Sequence, residues 1–160
     1  MDIVKLLDQL PIKPNYQRKN VSDGGCYSTN MGLIHRRYKT GVCLSKITTE
    51  YPATYDALVS FCQSNNPGFE FTTITINRNF QCKPHVDKMN HGLSRIIGLG
   101  DYRGGQLRIH HPNGTYTDHD IKNQWLEFDG KQLHETLPFT GNRYTLIYFT
   151  HRATVNKHPI

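Results

Sequence analysis

The most constraining feature of the sequence is a change of character at Phe69, after which short apolar runs alternate with turns. Aromatic and β-branched residues recur at every second position over much of FEFTTITINRNF (69–80), which is typical of a strand. Asn113-Gly114 is a strong hairpin signal, and Asp129-Gly130 marks a further turn. By this pattern, residues 69–152 contain about eight strands joined by short turns. The sequence therefore predicts a β-sandwich or barrel.

Two helices and a long loop are predicted before this β region. Apolar residues recur at helical spacing over residues 3–10, and a second apolar stripe covers residues 51–63. The intervening residues 15–46 are rich in Gly, Asn, Ser and Tyr, so we expect a long loop with one short strand around 33–38. The predicted fold class is mainly β with flanking helices (α+β), with the helices packed on one side of the β structure.

Composition indicates a soluble globular protein. Of the 160 residues, 36% are hydrophobic and 20% are charged, and no apolar run approaches the roughly 18–20 residues of a membrane-spanning helix. The first residues, MDIVKLLDQLPIKP, have the pattern of an amphipathic helix and not of a signal peptide. Four cysteines without a CxxC spacing are expected to be free thiols, which favours an intracellular location. No membrane partner is expected.

The basic residues are unevenly distributed. The formal net charge is +6, and residues 24–49 contain no acid while they hold Arg36, Arg37 and Lys39. A basic stretch of this kind favours a polyanionic partner such as nucleic acid. The alternative is a solvated basic surface with no partner.

The stretch QCKPHVDKMNHG (81–92) holds the first candidate site residues. His85 and Asp87 are two positions apart, and on an extended strand residues i and i+2 point to the same face. Their imidazole and carboxylate groups would then converge. Such a pair suits a metal ion, a charge-paired histidine or a polar strand edge.

Two further polar positions interrupt the apolar strands that follow. His134 comes just after a strand and a tight turn, and Arg143 opens the last strand with Thr145 on the same face. An arginine inside a small barrel is costly unless an anion such as a bound carboxylate pairs with it. Two histidines and one carboxylate also form the facial triad of non-haem Fe(II) oxygenases, which leaves coordination positions open.

The ordered set of HVD, His134 and RYT resembles the HxD…H…RxT/S pattern of the Fe(II)/2-oxoglutarate-dependent dioxygenases. The segments GLGDYRGGQL, FDGKQLH and PFTGNRYTLIYFT add to this resemblance, which covers residues 69–152. It implies a double-stranded β-helix (jelly-roll) core over those residues. Residues 1–68 would form a helical and loop part that packs on this core, so that 1–160 is a single dioxygenase domain.

The resemblance also implies a role for each residue of the set. Fe(II) would be held by His85, Asp87 and His134. Arg143 would pair with the distal carboxylate of 2-oxoglutarate, with Thr145 as a helper. The implied reaction uses O₂, converts 2-oxoglutarate to succinate and CO₂, and hydroxylates a C–H bond, with ascorbate as a stimulant.

Members of this family often place a polar residue on the strand before HxD, where it touches the cosubstrate. Asn77 and Asn79 occupy the corresponding positions in this chain. The alternative for each is an amide at a strand edge with no part in the site.

The substrate is the feature that the sequence constrains least. The layout resembles the TET/JBP-like branch, which implies hydroxylation of the methyl group of 5-methylcytosine or thymine in nucleic acid. Candidate substrate contacts are Arg36, Arg37, Lys39 and His91.

Three alternatives to a nucleic-acid base remain open. One is a protein side-chain hydroxylase of the prolyl or lysyl type, although that branch typically has a lysine where Arg143 stands. Another is a small-molecule oxygenase. The third belongs to a different class: a jelly-roll binding module without turnover, which would form no succinate.

Overall fold

The structure, a computed structural model, describes residues 2–14, 27–35 and 41–155. The helices are α1 (Ile3–Asp8), α2 (Lys46–Glu50), α3 (Pro52–Asn65) and α4 (Arg152–Val155). The strands are β1 (Tyr27–His35), β2 (Val42–Leu44), β3 (Thr73–Arg78), β4 (Asn90–Leu99), β5 (Tyr102–Gly104), β6 (Leu107–His110), β7 (Tyr116–His119), β8 (Leu126–Phe128), β9 (His134–Thr136), β10 (Phe139–Gly141) and β11 (Tyr144–His151).

The strands form one large and two small antiparallel sheets. The large sheet has the order β2-β1-β3-β11-β4-β8, and the small sheets have the orders β7-β6-β9 and β10-β5. A cavity lies between the large sheet and β7-β6-β9, because residues of β3, β11, β6 and β9 all line it. This arrangement confirms the predicted jelly-roll core with flanking helices.

The helices cover the outer face of the large sheet. Leu7 of α1 and Leu58 of α3 are fully buried in one apolar cluster with Ile74, Ile76 and Leu146 of the sheet. Helix α3 and the sheet are also joined by a hydrogen bond in which the Tyr148 hydroxyl donates to the Leu58 carbonyl at 2.7 Å. The apolar periodicity seen in the sequence is therefore used to pack helix on sheet.

The alternation of side chains along β11 separates two environments. Tyr144, Leu146 and Tyr148 face the helices, whereas Thr145 and Ile147 face the cavity. This is the face that the sequence predicted for Thr145, because residues i and i+2 of a strand share a side. Strand β3 follows the same rule, so the centre of the sheet is buried on both sides.

The predicted helices are confirmed, but the loop predicted over 15–46 is wrong for part of its length. Strand β1 begins at Tyr27, well before the short strand expected around 33–38, and it pairs with β3 over six positions. Ser28 and Asn30 line the cavity whereas Tyr27 and Met31 pack in the apolar core on the other face, so β1 does alternate, but within a stretch that is mostly polar. The short helix α2 and the strands β5 and β10 were also not predicted.

None of the helices in the described segments has both the length and the apolar character that are needed to cross a membrane.

We expect Leu58→Ala to lower the free energy of unfolding by about 2–5 kcal/mol, since it leaves a cavity between α3 and the sheet. Chemical denaturation should show one transition by circular dichroism and by the fluorescence of Trp125, whose ring lies 5.2 Å from that of Phe61 on α3. The exposed Ser60→Ala is the control on the same helix. Two separate transitions would contradict the prediction that residues 1–160 form a single domain.

Candidate metal centre and its cavity

Three potential metal ligands converge in the wall of the cavity. One ligand atom from each of His85, Asp87 and His134 lies within 4.8 Å of the others. Asp87 is central: its Oδ1 is 3.4 Å from His85 Nε2, and its Oδ2 is 3.3 Å from His134 Nε2. The structure therefore brings together the three residues that the sequence singled out as a possible iron site.

Backbone bonding places the two histidines opposite each other. His85 and His134 form an isolated antiparallel bridge in which each N–H donates to the other's carbonyl at 3.0 Å. The N–H of Asp87 donates to the Gly130 carbonyl at 2.7 Å, which holds the carboxylate beside them. His85 and Asp87 thus converge without lying on the regular strand that was predicted for them.

The outer ring nitrogen of each histidine is also held. His85 Nδ1 is 2.6 Å from the Lys83 carbonyl, and His134 Nδ1 is 2.7 Å from the Gln132 carbonyl. A carbonyl can only accept, so each Nδ1 carries a proton and donates it. In the neutral ring the Nε2 lone pair then points to Asp87, which is the arrangement of metal-binding histidines.

This donor set requires a cation. Two Nε2 lone pairs and a carboxylate that face one another repel unless a proton or a metal ion lies between them. Burial raises the pKa of Asp87, but where protons fill the space between the three groups, hydrogen bonding and positive charge from His134 and His85 outweigh this and hold the pKa well below its usual range. Asp87 is therefore ionised, and nitrogen and oxygen ligands of this kind suit Fe(II).

The cavity extends from these ligands between the two sheets. Its volume is about 320 Å³, which is within the range of small-molecule sites. Among the residues that line it are the three ligands, apolar side chains of both sheets, and a polar group made up of Ser28, Asn30, Thr75, Asn77, Thr136, Arg143 and Thr145.

Arg143 is a charged group buried in the cavity wall. Its side chain is 2% exposed, and none of the ion pairs in the described part of the chain involves it. Nη2 donates to the Gly105 carbonyl at 2.9 Å, whereas Nε has no partner among the described residues. Burial lowers the pKa of Arg143, which the nearby Tyr102 and Cys82 partly offset. A buried guanidinium of this kind is suited to a carboxylate ligand.

Thr145 and Asn77 lie beside Arg143 on neighbouring strands. They are cross-strand partners in the register of β11 and β3, and both are buried and line the cavity. Asn77 Oδ1 has no hydrogen-bond partner within the described segments, although it is buried. The structure thus brings these two predicted residues to the site.

Asn79 is not brought to the cavity. Its backbone has a positive φ of 50°, and its side chain turns to the start of β11. There Asn79 Oδ1 accepts from the N–H of Arg143 at 2.7 Å, and the N–H of Asn79 donates to the Arg143 carbonyl at 2.7 Å. Asn79 therefore holds the backbone of Arg143.

The predicted substrate contacts are only partly described. Arg36, Arg37 and Lys39 lie outside the described residues. His91 lies on β4 opposite Thr150 and is exposed, but it does not line the cavity.

Gly105 is a residue of the site that was not predicted from the sequence. Its carbonyl accepts a hydrogen bond from Arg143. From the sequence alone, the pair Gly104-Gly105 indicates no more than a turn. The sequence shows only that the glycine pair precedes the arginine along the chain. That order does not reveal that the two residues are in contact.

Comparisons with solved structures support this architecture. An oxidoreductase of the 2OG-Fe(II) oxygenase family from Burkholderia pseudomallei is 18% identical, with 92% of this chain and 76% of that chain covered and a TM-score of 0.66. The chain has the fold of the 2OG-Fe(II) oxygenases. No protein-family model matches the sequence, and the comparison with curated proteins gives no match.

Two further solved structures are similar in fold, a prolyl-4-hydroxylase and a protein bound to 5mC DNA. A Pseudomonas putida prolyl-4-hydroxylase is 19% identical, with 94% of this chain and 82% of that chain covered and a TM-score of 0.55. NgTET1, solved in complex with 5mC DNA, is 14% identical, with 81% and 62% covered and a TM-score of 0.58. At these identities the likeness is one of fold.

We expect His134→Ala to weaken binding of Co(II), used as a spectroscopic probe, by more than about 100-fold, since changes outside the ligand set alone cost about 10–100-fold. His111→Ala is the matched control, because His111 Nε2 bonds to Thr117 Oγ1 on the outer hairpin at 2.7 Å. Absorption titration measures the affinity, and circular dichroism checks the fold. Equal affinity in the two variants would exclude His134 as a ligand.

Proposed function

We propose that the protein is an Fe(II)- and 2-oxoglutarate-dependent oxygenase. The observation that carries this proposal is the pairing of two features in one cavity. Three potential metal ligands converge in the cavity wall, and a buried arginine without an acidic partner among the described residues lines the same cavity. A ligand that offers chelating oxygens at one end and a carboxylate at the other satisfies both.

In this proposal His85, Asp87 and His134 hold Fe(II), and Arg143 binds the distal carboxylate of 2-oxoglutarate, with Thr145 and Asn77 beside it. When bound, the iron and 2-oxoglutarate supply an oxidation in which O₂ is consumed, succinate and CO₂ are formed and a substrate C–H bond is hydroxylated. The protein binds and orients the iron and 2-oxoglutarate. Its backbone fixes the imidazoles, a hydrogen bond holds the guanidinium, and apolar walls limit the access of water.

We expect Arg143→Ala to raise the dissociation constant for 2-oxoglutarate by about 10- to 150-fold, because a charge-assisted bond is worth roughly 1.5–3 kcal/mol. Arg108→Ala, which removes an arginine paired with Asp118 on the outer face of β6, should have no such effect. Calorimetry on the Mn(II) form measures binding without turnover, and succinate formation with Fe(II) and ascorbate measures activity. An unchanged affinity in Arg143→Ala would mean that another cationic residue binds the distal carboxylate of 2-oxoglutarate.

For the substrate, we favour a nucleic-acid base with a methyl group, 5-methylcytosine or thymine. The rim of exposed residues beside the candidate ligands, here called the cavity mouth, supports this choice because it carries several basic side chains. Lys88 and Lys131 are exposed, and they lie on the two segments that carry the candidate ligands. These two segments are joined by the hydrogen bond from the Asp87 N–H to the Gly130 carbonyl. Arg152 is exposed beside them, since its N–H donates to the Met89 carbonyl at 2.8 Å.

Strand β1 belongs to the basic stretch 24–49, and its last residue lies next to a residue that lines the cavity. The ring of His35, its last residue, stacks on His151 with centroids 6.3 Å apart, and His151 lines the cavity. Arg36 and Arg37 follow His35 directly in the sequence. We therefore propose that these arginines and Lys39 bind phosphates of the strand whose base enters the cavity, as NgTET1 was solved with 5mC DNA.

The second candidate is a protein side-chain hydroxylase. It is favoured by the exposed apolar side chains Val86, Met89 and Leu133 next to the ligands, which are 38–44% exposed, and by the likeness to a prolyl-4-hydroxylase fold. A peptide could pack on such a rim.

We expect Lys88→Gln/Lys131→Gln to weaken binding of a single-stranded oligonucleotide, because fewer phosphates are then neutralised by the protein. The slope of log K against log salt should fall by about 0.7 for each phosphate that the variant leaves unpaired. Lys5→Gln/Lys13→Gln removes the same charge at exposed positions in and after α1, the helix that packs on the outer face of the large sheet. Fluorescence anisotropy over a salt series measures both. Equal slopes in the two variants would make the lysines at the mouth a solvated surface.

The substrate itself is tested by mass spectrometry. Oligonucleotides of DNA and RNA with cytosine, 5-methylcytosine or thymine are incubated with Fe(II), ascorbate and 2-oxoglutarate. We expect a gain of one oxygen on a methylated base, together with succinate. Succinate without a modified base would favour the protein or a small molecule as substrate, and bound iron without succinate would favour the binding module.

A further inference from the structure

Arg143 is the only residue of the segments DYRGG and PFTGNR to which the proposed function gives a ligand contact. The rest of these two segments forms a small sheet next to Arg143. The segments contain the strands β5 and β10, which pair as a two-stranded sheet with Gly104 opposite Phe139 and Tyr102 opposite Gly141. The two strands lie so close at Gly141 that a side chain there would collide with the Asp101 carbonyl. Glycine is thus required for this sheet to form.

This small sheet contacts the guanidinium of Arg143 from several sides. The Gly105 carbonyl, directly after β5, accepts from Nη2 at 2.9 Å. The rings of Tyr102 and Phe139 each have their centroid 5.4 Å from Cζ, within the range of cation–π contacts. Each of these contacts depends on β5 or β10, and together they restrict the direction of the side chain.

Gly105 is the contact at which no side chain fits. It has a φ of +68°, and a Cβ at this position would lie 2.6 Å from Arg143 Nε and 3.0 Å from its Cδ. Since Asn79 bonds to both the N–H and the carbonyl of Arg143, the backbone cannot easily move to relieve this contact. The side chain of Arg143 would have to shift instead.

We propose that the β5–β10 sheet is a cradle that orients the Arg143 guanidinium, and that Gly105 is the positioning residue that sets where this guanidinium meets the distal carboxylate of 2-oxoglutarate. This inference rests on the proposed function, because it concerns the same carboxylate. The planar fork of arginine makes two parallel bonds only when it is correctly directed. The cradle supplies that direction before the ligand binds.

The test compares two glycines that differ in one respect. Gly114, in the turn between β6 and β7, also has a positive φ of +87°, but a Cβ there would meet nothing within 4 Å. Gly105→Ala and Gly114→Ala therefore impose similar backbone strain, and only the first displaces Arg143. A displaced guanidinium loses its charge-assisted bond to the carboxylate, so we expect the dissociation constant for 2-oxoglutarate to rise by at least about tenfold in Gly105→Ala alone.

Calorimetry on the Mn(II) form gives this constant without turnover. Steady-state succinate formation then separates positioning from structural damage, since the KM for 2-oxoglutarate should rise while kcat at saturating 2-oxoglutarate is retained. In an Arg143→Lys background, Gly105→Ala should weaken affinity no further, because the guanidinium atoms that it displaces are absent. Additive effects of the two substitutions would overturn the proposal.

A second variant keeps the test valid if Gly105→Ala does not fold. Phe139→Leu retains an apolar side chain but removes one ring from the guanidinium, and we expect the dissociation constant to rise by about two- to thirtyfold. If the wild-type protein binds 2-oxoglutarate and neither variant differs from Gly114→Ala, the cradle is refuted while the proposed function stands. If the wild-type protein with metal bound shows no affinity for 2-oxoglutarate, the proposed function itself fails.

Discussion

Strands β3 and β11 lie side by side in the large sheet, and the alternation of their side chains separates an apolar core from a polar cavity. One face is anchored by helices α1 and α3, so the sheet has a fixed shape without any contribution from the cavity. The other face can therefore carry groups that cost stability, such as the buried charge of Arg143 and the amide oxygen of Asn77, which has no partner among the described residues. Polar groups of this kind are tolerated at functional sites because packing elsewhere offsets them.

Two groups in the cavity wall have opposite electrostatic requirements. The lone pairs of His85 and His134 and the carboxylate of Asp87 need a cation, whereas the buried Arg143 guanidinium needs an anion. A single ion would leave one requirement unmet. A metal ion together with a dicarboxylate meets both, and the apolar walls between them strengthen each interaction by lowering the local dielectric.

The sequence predicted the ligand set, the arginine and the jelly-roll core because each depends on order along the chain and on strand alternation. It failed where a role depends on local geometry. The predicted loop over 15–46 contains strand β1, because the polar composition of that stretch masks the alternation of Tyr27 and Met31 with Ser28 and Asn30, and the pairing with β3 is not visible in the sequence. Asn79 was expected at the cosubstrate, but its positive φ turns the side chain to the backbone of Arg143. Neither pairing nor φ can be read from residue types.

The reciprocal backbone bonds between His85 and His134 hold these two candidate ligands opposite each other through the main chain. A set of two imidazoles and a carboxylate does not choose strongly among divalent ions, and affinity for such sites generally rises from Mn²⁺ through Fe²⁺ and Co²⁺ to Cu²⁺. Iron would thus be neither the tightest-binding nor the only ion accepted. Under the proposed function, the ion that fills the site depends on metal supply, and activity is tied to the availability of iron relative to its competitors.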